Sequence, residues 1–374
     1  MKVEVNSTSF ADAVAWTTSV LNARPTNPIL SGVKLEATEG TLRLSAFTYE
    51  ISARDHVEAG VDEEGTVVVP GKLLADISKS LPSEKAYMQT NGSTLQITSG
   101  KSTFTLQLMP ETEYPDLPQL PPQLGQVDAQ TFTQSVNQAA VAVARDESRP
   151  VLTGIQMRFE GDSVTMSSTD RFRLSRSTFQ WTPQSDDLNT IALVGGSHLR
   201  DISRSIDEHQ NVIVYLDPQN PSLLGIENAG RISTVQLIDG EFPNVDKLYA
   251  DSYPIHVVIN KQALLDAIKR VSLVAERNAP IRMVFAGQEL TLSAGAADEA
   301  SANEILDVDL DGEDITVAFN PNYLREALSA IAEPFVRMKM TTAIKPVEFN
   351  GQQEADSEES LAYRYLLVPM RFGN

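Results

Sequence analysis

Four histidines, His56, His198, His209 and His256, are the imidazoles available for chemistry in this 374-residue sequence, and they are scattered along it. A metal centre built on them would need convergent spacing such as HxxxH or HxH, and none of the four stands in such a pair. There is no cysteine, so thiolate ligands, thiol nucleophiles and disulfides are excluded. No GxxxxGK(S/T) or GxGxxG stretch follows a strand-like run, and Gly195–Gly196 alone is too little to cradle a phosphate. A serine nucleophile of the GxSxG type is missing as well. The neighbouring carboxylates Glu63–Glu64 fall in a polar turn. Asp307–Asp314, DVDLDGED, alternates acids around Gly312 as a calcium loop would, yet lacks the glutamate that closes an EF-hand. The sequence therefore points to a protein without catalytic residues, metal or cofactor.

What the chain does have is a repeat. Pro70–Leu81 reads PGKLLADISKSL, and 125 residues further Gly195–Ile206 reads GGSHLRDISRSI; another 125 bring Asn320–Ile331, NPNYLREALSAI. Stacked without a gap, they align Leu74 with Leu199 and Leu324, and Leu81 with Ile206 and Ile331. Between these columns fall Ile77, Ile202 and Ala327, giving apolar positions at i, i+3 and i+7, one face of an α-helix. An acidic column, Asp76, Asp201 and Glu326, lies beside them. Each copy follows a β-rich run: Thr66–Val69, Ile191–Val194 and Ile315–Phe319. Three such units in register make a structural triplication.

The rest of each unit repeats too. Pro28–Ala46 and Pro150–Ser168 match at an offset of 122. A further helix is expected before each match, over Phe10–Leu21, Phe132–Ala144 and Lys261–Ala275. Strand alternation, as at Leu42 and Leu44, and the Asn91–Gly92 hairpin signal fill the intervals. Each unit thus reads as helix, about four strands, helix, about four strands, an α+β architecture of antiparallel sheet with two helices per unit. Proline-rich Glu113–Gln126 reads as a linker, and the acidic stretch Gln352–Ser360 as a mobile loop. The expected domains are residues 1–122, 123–252 and 253–374.

A net charge of −20 argues at first against nucleic acid or anionic membrane. No run is long and apolar enough for a bilayer, and MKVEVNSTSFADAV lacks a signal-peptide core, so a soluble cytoplasmic protein with no membrane partner is expected. The charge is unevenly spread, however. The six helical stretches with their flanks carry thirteen basic residues, Lys261, Arg270 and Arg277 among them, against eight acidic ones. Either these cations are simply solvated, or a polyanion faces the helices while the acidic remainder repels it elsewhere.

At this point the chain resembles the bacterial sliding clamp family, the β subunit of the replicative DNA polymerase. The motifs that carry the resemblance are RPTNPIL (Arg24–Leu30), TDRFRL (Thr169–Leu174), DGEFPNVDKL (Asp239–Leu248) and YLLVPMRF (Tyr365–Phe372), and the likeness runs the whole length. It implies the DNA clamp fold, three repeated domains closing as a head-to-tail homodimeric ring, with helices toward sequence-independent duplex DNA. By motif or helix position, Arg24, Lys72, Lys79, Arg149, Arg200 and Arg204 would meet phosphates. The family also docks partners through short peptides: the polymerase III catalytic subunit, the clamp loader and repair polymerases. The matching pocket residues are Leu152, Thr169, Arg173, Leu174, Pro243, Lys247, Leu248, Ile344, Pro346, Leu366, Leu367, Val368, Pro369, Met370 and Arg371, apolar with charges at the rim. Met370 would act as a flexible gate. Without the resemblance, Tyr365–Phe372 reads equally as a core strand. Arg171 stands where the family often has glycine, and Lys247 where it frequently has arginine. For the dimer contact the resemblance implies Phe104 and Leu106 on an edge strand and Leu273 and Val274; these could equally be core. The rival reading is an acidic, repeat-built protein-interaction scaffold that never touches DNA.

Overall fold

Asparagine starts three of the six α-helices among the described residues, which in this computed structural model are 1–275, 279–296 and 300–371. Glu276 and Arg277, counted above with the helical charges, and Phe372 of the C-terminal motif lie outside them. The helices are α1 (Ser7–Thr18), α2 (Gly71–Ser78), α3 (Ala129–Ala139), α4 (Gly196–Ser203), α5 (Lys261–Val271) and α6 (Pro321–Ala330). Asn6 accepts the N–H groups of Thr8 and Ser9 at 3.0 and 3.1 Å. Asn260 accepts that of Ala263, and Asn320 those of Asn322 and Tyr323, with Pro321 next in line. Each cap satisfies donors that a first helical turn leaves open.

Helices α2 and α4 start on glycine instead. A Cβ on Gly71 would lie 2.4 Å from a Leu21 methyl and 3.0 Å from the Ser31 carbonyl; on Gly196 it would lie 2.7 Å from Val143 and 3.1 Å from the Thr153 carbonyl. The same column of the repeat is thus pressed against neighbouring chain in both units, leaving no room for a side chain. Beyond it, Leu74, Leu199 and Leu324 are all fully buried, as the apolar columns predict. Burying each is worth roughly 1.5–3 kcal/mol.

Packing divides the chain into two units, the first Met1–Ala129, Thr182–Asp186 and Arg204–Leu237, the second Gln130–Trp181, Asp187–Ser203 and Ile238–Asn374. The middle repeat is shared between them. In the first unit, thirteen strands form one antiparallel sheet, in which Ile51–Glu63 pairs with Arg231–Gln236 and Ser102–Gln107 ends the path. The core of this unit includes Phe10, Leu35, Leu74 and Leu106. In the second unit, a nine-stranded sheet pairs Arg173–Gln180 with Glu359–Leu367. A four-stranded sheet runs in the order Ala300–Asp307, Glu289–Ala296, Ile281–Ala286, Ile315–Phe319. Leu264, Phe285, Phe319, Leu324 and Phe349 lie in the core there.

Three expectations need correction. Each repeat opens with a strand before its first helix, Lys2–Asn6, Gln123–Val127 and Ile255–Asn260. The second of these overlaps the end of the stretch read as a linker; its short alternation QLGQV is masked by the prolines before it. That stretch is also docked, since the Tyr114 hydroxyl donates to the Gly32 carbonyl at 3.3 Å and its ring packs with Ile29, Leu30, Phe47 and Val68. The acidic loop after Gln352 is not a loose tether either: the buried Gln352 amide donates to the carbonyls of Glu354 and Ala355 at 2.8 and 2.7 Å. Among the described residues, no helix is long and apolar enough to cross a membrane.

Candidate functional site

The turn that joins strand Ser163–Thr169 to strand Arg173–Gln180 is built by its own side chains. Asp170 Oδ1 accepts the backbone N–H groups of Phe172 and Arg173 at 3.0 and 3.1 Å. Thr169 donates its hydroxyl to the Arg173 carbonyl at 2.7 Å and accepts the Arg171 N–H at 3.2 Å. The tightness costs backbone freedom, because Arg171 sits at φ +80°, the left-handed region that favours glycine. Phe172 is pushed out into solvent, whereas Arg173 turns inward and is 4% exposed.

Arg173 was expected as a charged rim residue; the structure corrects this. Its Nε donates to Asp170 at 2.9 Å, Nη1 donates to Glu326 on α6, and the guanidinium lies 4.1 Å from the Tyr323 ring centroid. A planar fork between two carboxylates and an aromatic face suits arginine alone. Burial works against its charge, but Tyr365, Glu326 and Asp170 outweigh it and hold the guanidinium more firmly protonated than usual. Arg173 therefore shapes the site from behind.

Next to the turn lies an apolar floor. Leu174 stands opposite Leu366, and Arg173 opposite Leu367. Leu174, Leu366 and Val245 are buried together, with Phe242 and Tyr249 packed against them. The segment carrying Pro243, Lys247 and Leu248 is fastened at Tyr249, whose ring lies 3.8 Å from the Arg364 guanidinium and 5.0 Å from that of Arg176. Arg176 also pairs with Asp246 at 2.5 Å. Behind Arg364 is a fully buried carboxylate: Arg364 reaches Glu348 at 2.7 and 3.1 Å, and Lys339 stands 3.2 Å from Glu348 and 2.9 Å from Glu359. Burial alone would raise the Glu348 carboxyl, but Arg364, the Tyr253 hydroxyl and Lys339 together hold it below its ordinary range. Burial pushes the Tyr249 hydroxyl up to about 12, against the two arginines.

Around this floor the expected pocket residues separate. Leu248, Ile344 and Val368 are large apolar side chains left exposed, with Pro243, Lys247 and Arg371 also at the surface. Val368 donates its N–H to the Phe172 carbonyl at 2.9 Å, and Met370, half-buried, donates to that of Ala318 at 2.7 Å. Pro346 is half-buried just before Val347, which pairs with Leu367. Leu152, Thr169, Leu367 and Pro369 are buried and support the surface from below. Phe172, Val245 and Tyr323 lie beside this group and were not among the expected residues, although all three fall within quoted stretches. A cleft of roughly 580 Å³ adjoins it, bounded by Leu152, the turn Asp170–Arg173, Arg145, Arg149 and the first turns of α6.

The candidate phosphate contacts fall in both units. Arg24, Lys72, Lys79 and Arg204 are exposed on the first, and Arg149 on the second. Arg200 is half-buried and donates to the Ala140 carbonyl at 2.9 Å, so its guanidinium is engaged within the protein. Two other helical cations are likewise engaged: Lys261 donates to the Ile331 and Ala332 carbonyls at 2.7 and 3.2 Å, closing the end of α6, and Arg270 pairs with Glu304.

At the sheet ends, strand Ser102–Gln107 leaves one edge without a partner among the described residues, and so does Ala300–Asp307. Leu106 is 1% exposed and belongs to the core of its unit, with Phe104 half-buried on the same face. Of the two readings left open for these residues, contact or core, alternation in a single copy turns both toward the core and leaves Thr103, Thr105 and the edge backbone outside. Leu273, by contrast, is 82% exposed, with Val274 half-buried beside it.

Sequence comparison assigns these features a relationship. Models of the DNA polymerase III beta subunit match the chain in order: its N-terminal domain over residues 1–118, its central domain over 126–244 and its C-terminal domain over 250–365. The beta sliding clamp of Streptomyces coelicolor is 43% identical over 373 residues, covering 99% of each chain. That of Micrococcus luteus is 39% identical over 304 residues, 81% of this chain and 98% of the other. In fold, the DNA polymerase sliding clamp from Bacillus subtilis superposes with a TM-score of 0.93 at 22% identity, covering both chains fully. A sliding clamp from Pseudomonas aeruginosa bound to griselimycin gives 0.92 at 22% identity, again with full coverage of both.

Proposed function

Since the chain belongs to the DNA polymerase III beta subunit family, the sliding clamps, we propose that it works as a head-to-tail homodimer, a ring encircling duplex DNA and tethering partners to it. The observation that carries this reading is the strand pattern. Taking the repeats as domains 1–122, 123–252 and 253–374, both junctions inside the chain are made alike. The last of four strands in one sheet group, Ile51–Glu63 or Arg173–Gln180, pairs with the final strand of the next repeat, Arg231–Gln236 or Glu359–Leu367. What remains is Ala300–Asp307, the corresponding strand of the third repeat, and Ser102–Gln107, the final strand of the first. A second copy that supplies the missing partner makes the same junction again at each end. Such a heterologous contact gives a closed ring when the rotation closes, and it hides two sheet edges that would otherwise invite aggregation.

A clamp that must hold DNA yet slide cannot read bases, which would fix it to one sequence. Exposed cations give register-free attraction that weakens with salt, and retention comes from topology. Arg24, Lys72, Lys79, Arg149 and Arg204 fit that role; Arg200, held on the Ala140 carbonyl, fits a structural one better. The apolar surface of Leu248, Ile344 and Val368 over the Leu174–Leu366 floor suits the leucine or phenylalanine anchors of short peptides, from the polymerase III catalytic subunit, the clamp loader and repair polymerases. Met370 is the adaptable gate. The reading is of a cytoplasmic, non-catalytic accessory subunit without cofactor.

The test uses the full chain loaded on DNA. Protein should be retained on closed circular duplex and lost when the circle is cut. Equal retention on linear DNA with free ends, or a solution mass of one copy at every concentration, overturns the proposal.

A further inference from the structure

We propose that the cleft beside the apolar pocket is a second subsite, one that takes the carboxylate side chain of an aspartate or glutamate flanking the apolar anchors of a docked peptide. This rests on the peptide-docking reading and sharpens what kind of peptide is chosen.

Five arginines bound the cleft, Arg145, Arg149, Arg171, Arg173 and Arg325, against three acids, Asp146, Asp170 and Glu326. The acids are already occupied. Asp170 and Glu326 clasp Arg173, and Arg145 stands 3.6 Å from Glu326. Asp146 accepts the N–H and hydroxyl of Ser148 at 2.9 and 2.7 Å, and Arg171 and Arg149 further favour its charged form. Among the described residues Arg325 donates to a neutral group, the Asn322 amide oxygen at 3.1 Å. Arg171 forms no ion pair within contact distance among the described residues and acts on Asp146 only from further off; its guanidinium lies 5.9 Å from the Phe172 ring centroid. The cleft thus carries surplus, uncommitted guanidinium on a chain whose net charge is −20. An acid would be repelled over most of such a body and drawn to this spot.

The ligand class follows from the neighbourhood. A guanidinium fork matches a carboxylate or a phosphate equally well. Here it opens between Leu152, Phe172 and Tyr323, beside the apolar pocket. The backbone bond from Val368 to the Phe172 carbonyl joins the two sites at one wall. A peptide whose apolar side chains fill the pocket would present its flanking side chains toward this cleft, which Arg171 and Arg325 line. Arg149 also lines the cleft and is a candidate for DNA, so the decisive substitutions are made at the other two arginines.

Fluorescence anisotropy on the full-length protein tests this with labelled polymerase-derived peptides. One carries leucine and phenylalanine anchors with an aspartate on one flank or the other; its control has asparagine there. At low salt the aspartate peptide should bind on the order of tenfold tighter on one flank, and salt should erase the difference. In the Arg171→Gln/Arg325→Gln protein the ratio should fall to about one, with an unchanged melting temperature, since both side chains are exposed. Equal affinity for both peptides in the unsubstituted protein overturns the subsite while leaving docking intact. Failure of any anchored peptide to bind overturns docking itself. If the double variant instead loses retention on closed circular DNA and keeps the aspartate preference, the cleft serves DNA phosphate and the proposal is wrong.

Discussion

Two arginines fasten the two junctions between repeats, and they do so with different consequences. In the first unit, Arg231 opens strand Arg231–Gln236; its Nε donates to Asp55 at 3.0 Å, Nη2 donates to Asp12, and its guanidinium lies 5.4 Å from the Trp16 ring. In the second, Arg173 holds Asp170, Glu326 and Tyr323. The parts are the same: one guanidinium, two carboxylates, one aromatic face. The side chain of Arg231 is 25% exposed and its partner Asp12 70% exposed, so water competes for that pair, while Asp55 is buried. The side chain of Arg173 is 4% exposed, and one of its two acids belongs to its own turn. Arg231 is a tie between repeats. Arg173 is a tie that also fixes the turn bearing Phe172 and the wall of the cleft, which is how a junction becomes a site.

Breaking the ties should separate the two most clearly. Arg173→Ala leaves two carboxylates facing each other beside buried apolar surface, and should cost about 3–5 kcal/mol. Arg231→Ala should cost on the order of 1 kcal/mol, as partly exposed pairs do. Urea midpoints measured side by side decide the matter; similar losses would mean that burial is not what distinguishes the junctions.

The contrast also marks where reading the sequence stops. The triplication and the helical faces were legible because each copy depends on neighbours within a dozen residues, whereas the pocket residues came only from the family resemblance. Two helix starts were read late, α1 at Phe10 instead of Ser7 and α3 at Phe132 instead of Ala129, because apolar periodicity begins to register only at the first large apolar residue. The opening strands were missed because five or six residues of mixed polarity carry little signal. The inward turn of Arg173 was illegible for a different reason: its partner Glu326 lies 153 residues away, and only the folded sheet brings it near. Leu106 stayed open between contact and core because edge position says nothing about which face a side chain takes.

Further from the turn, Tyr249 tests whether the pocket wall is positioned by stacking or by hydrogen bonding. Its buried hydroxyl has no hydrogen-bond partner among the described residues, while its ring lies against Arg364 and Arg176. Tyr249→Ala should lose about 3 kcal/mol through the emptied space and weaken peptide binding by freeing Lys247 and Leu248. Tyr249→Phe should be neutral or gain a few tenths of a kcal/mol, since it removes an unsatisfied group. A loss with phenylalanine as large as with alanine would put the contribution in the hydroxyl.

Acid probes the ion cluster behind that ring. Glu348 has a folded-state pKa below the ordinary 4.5, so its contribution to stability is fully present above that value. It is lost as pH falls through the depressed folded value. Stability measured from pH 7 downward should hold until about pH 4.5 and then decline, and Glu348→Gln should flatten that decline. An unaltered acid limb in the variant would assign the sensitivity to other carboxylates.

The smallest expected effect concerns the turn itself. Arg171 occupies a left-handed backbone conformation at φ +80°, held there by the Thr169 hydroxyl and by the bonds Asp170 makes to the next two residues. An L side chain in that region costs about 1–2 kcal/mol, whereas the added chain freedom of glycine costs roughly 0.5–1 kcal/mol. Arg171→Gly should therefore raise stability slightly, by up to about 1 kcal/mol, while weakening any acidic peptide. Stability and acid selectivity moving in opposite directions on one substitution would mean that the strain is kept for its guanidinium. If both fall together, the turn depends on contacts of the arginine stem, and the cleft and the junction behind it are one structure with no separable function.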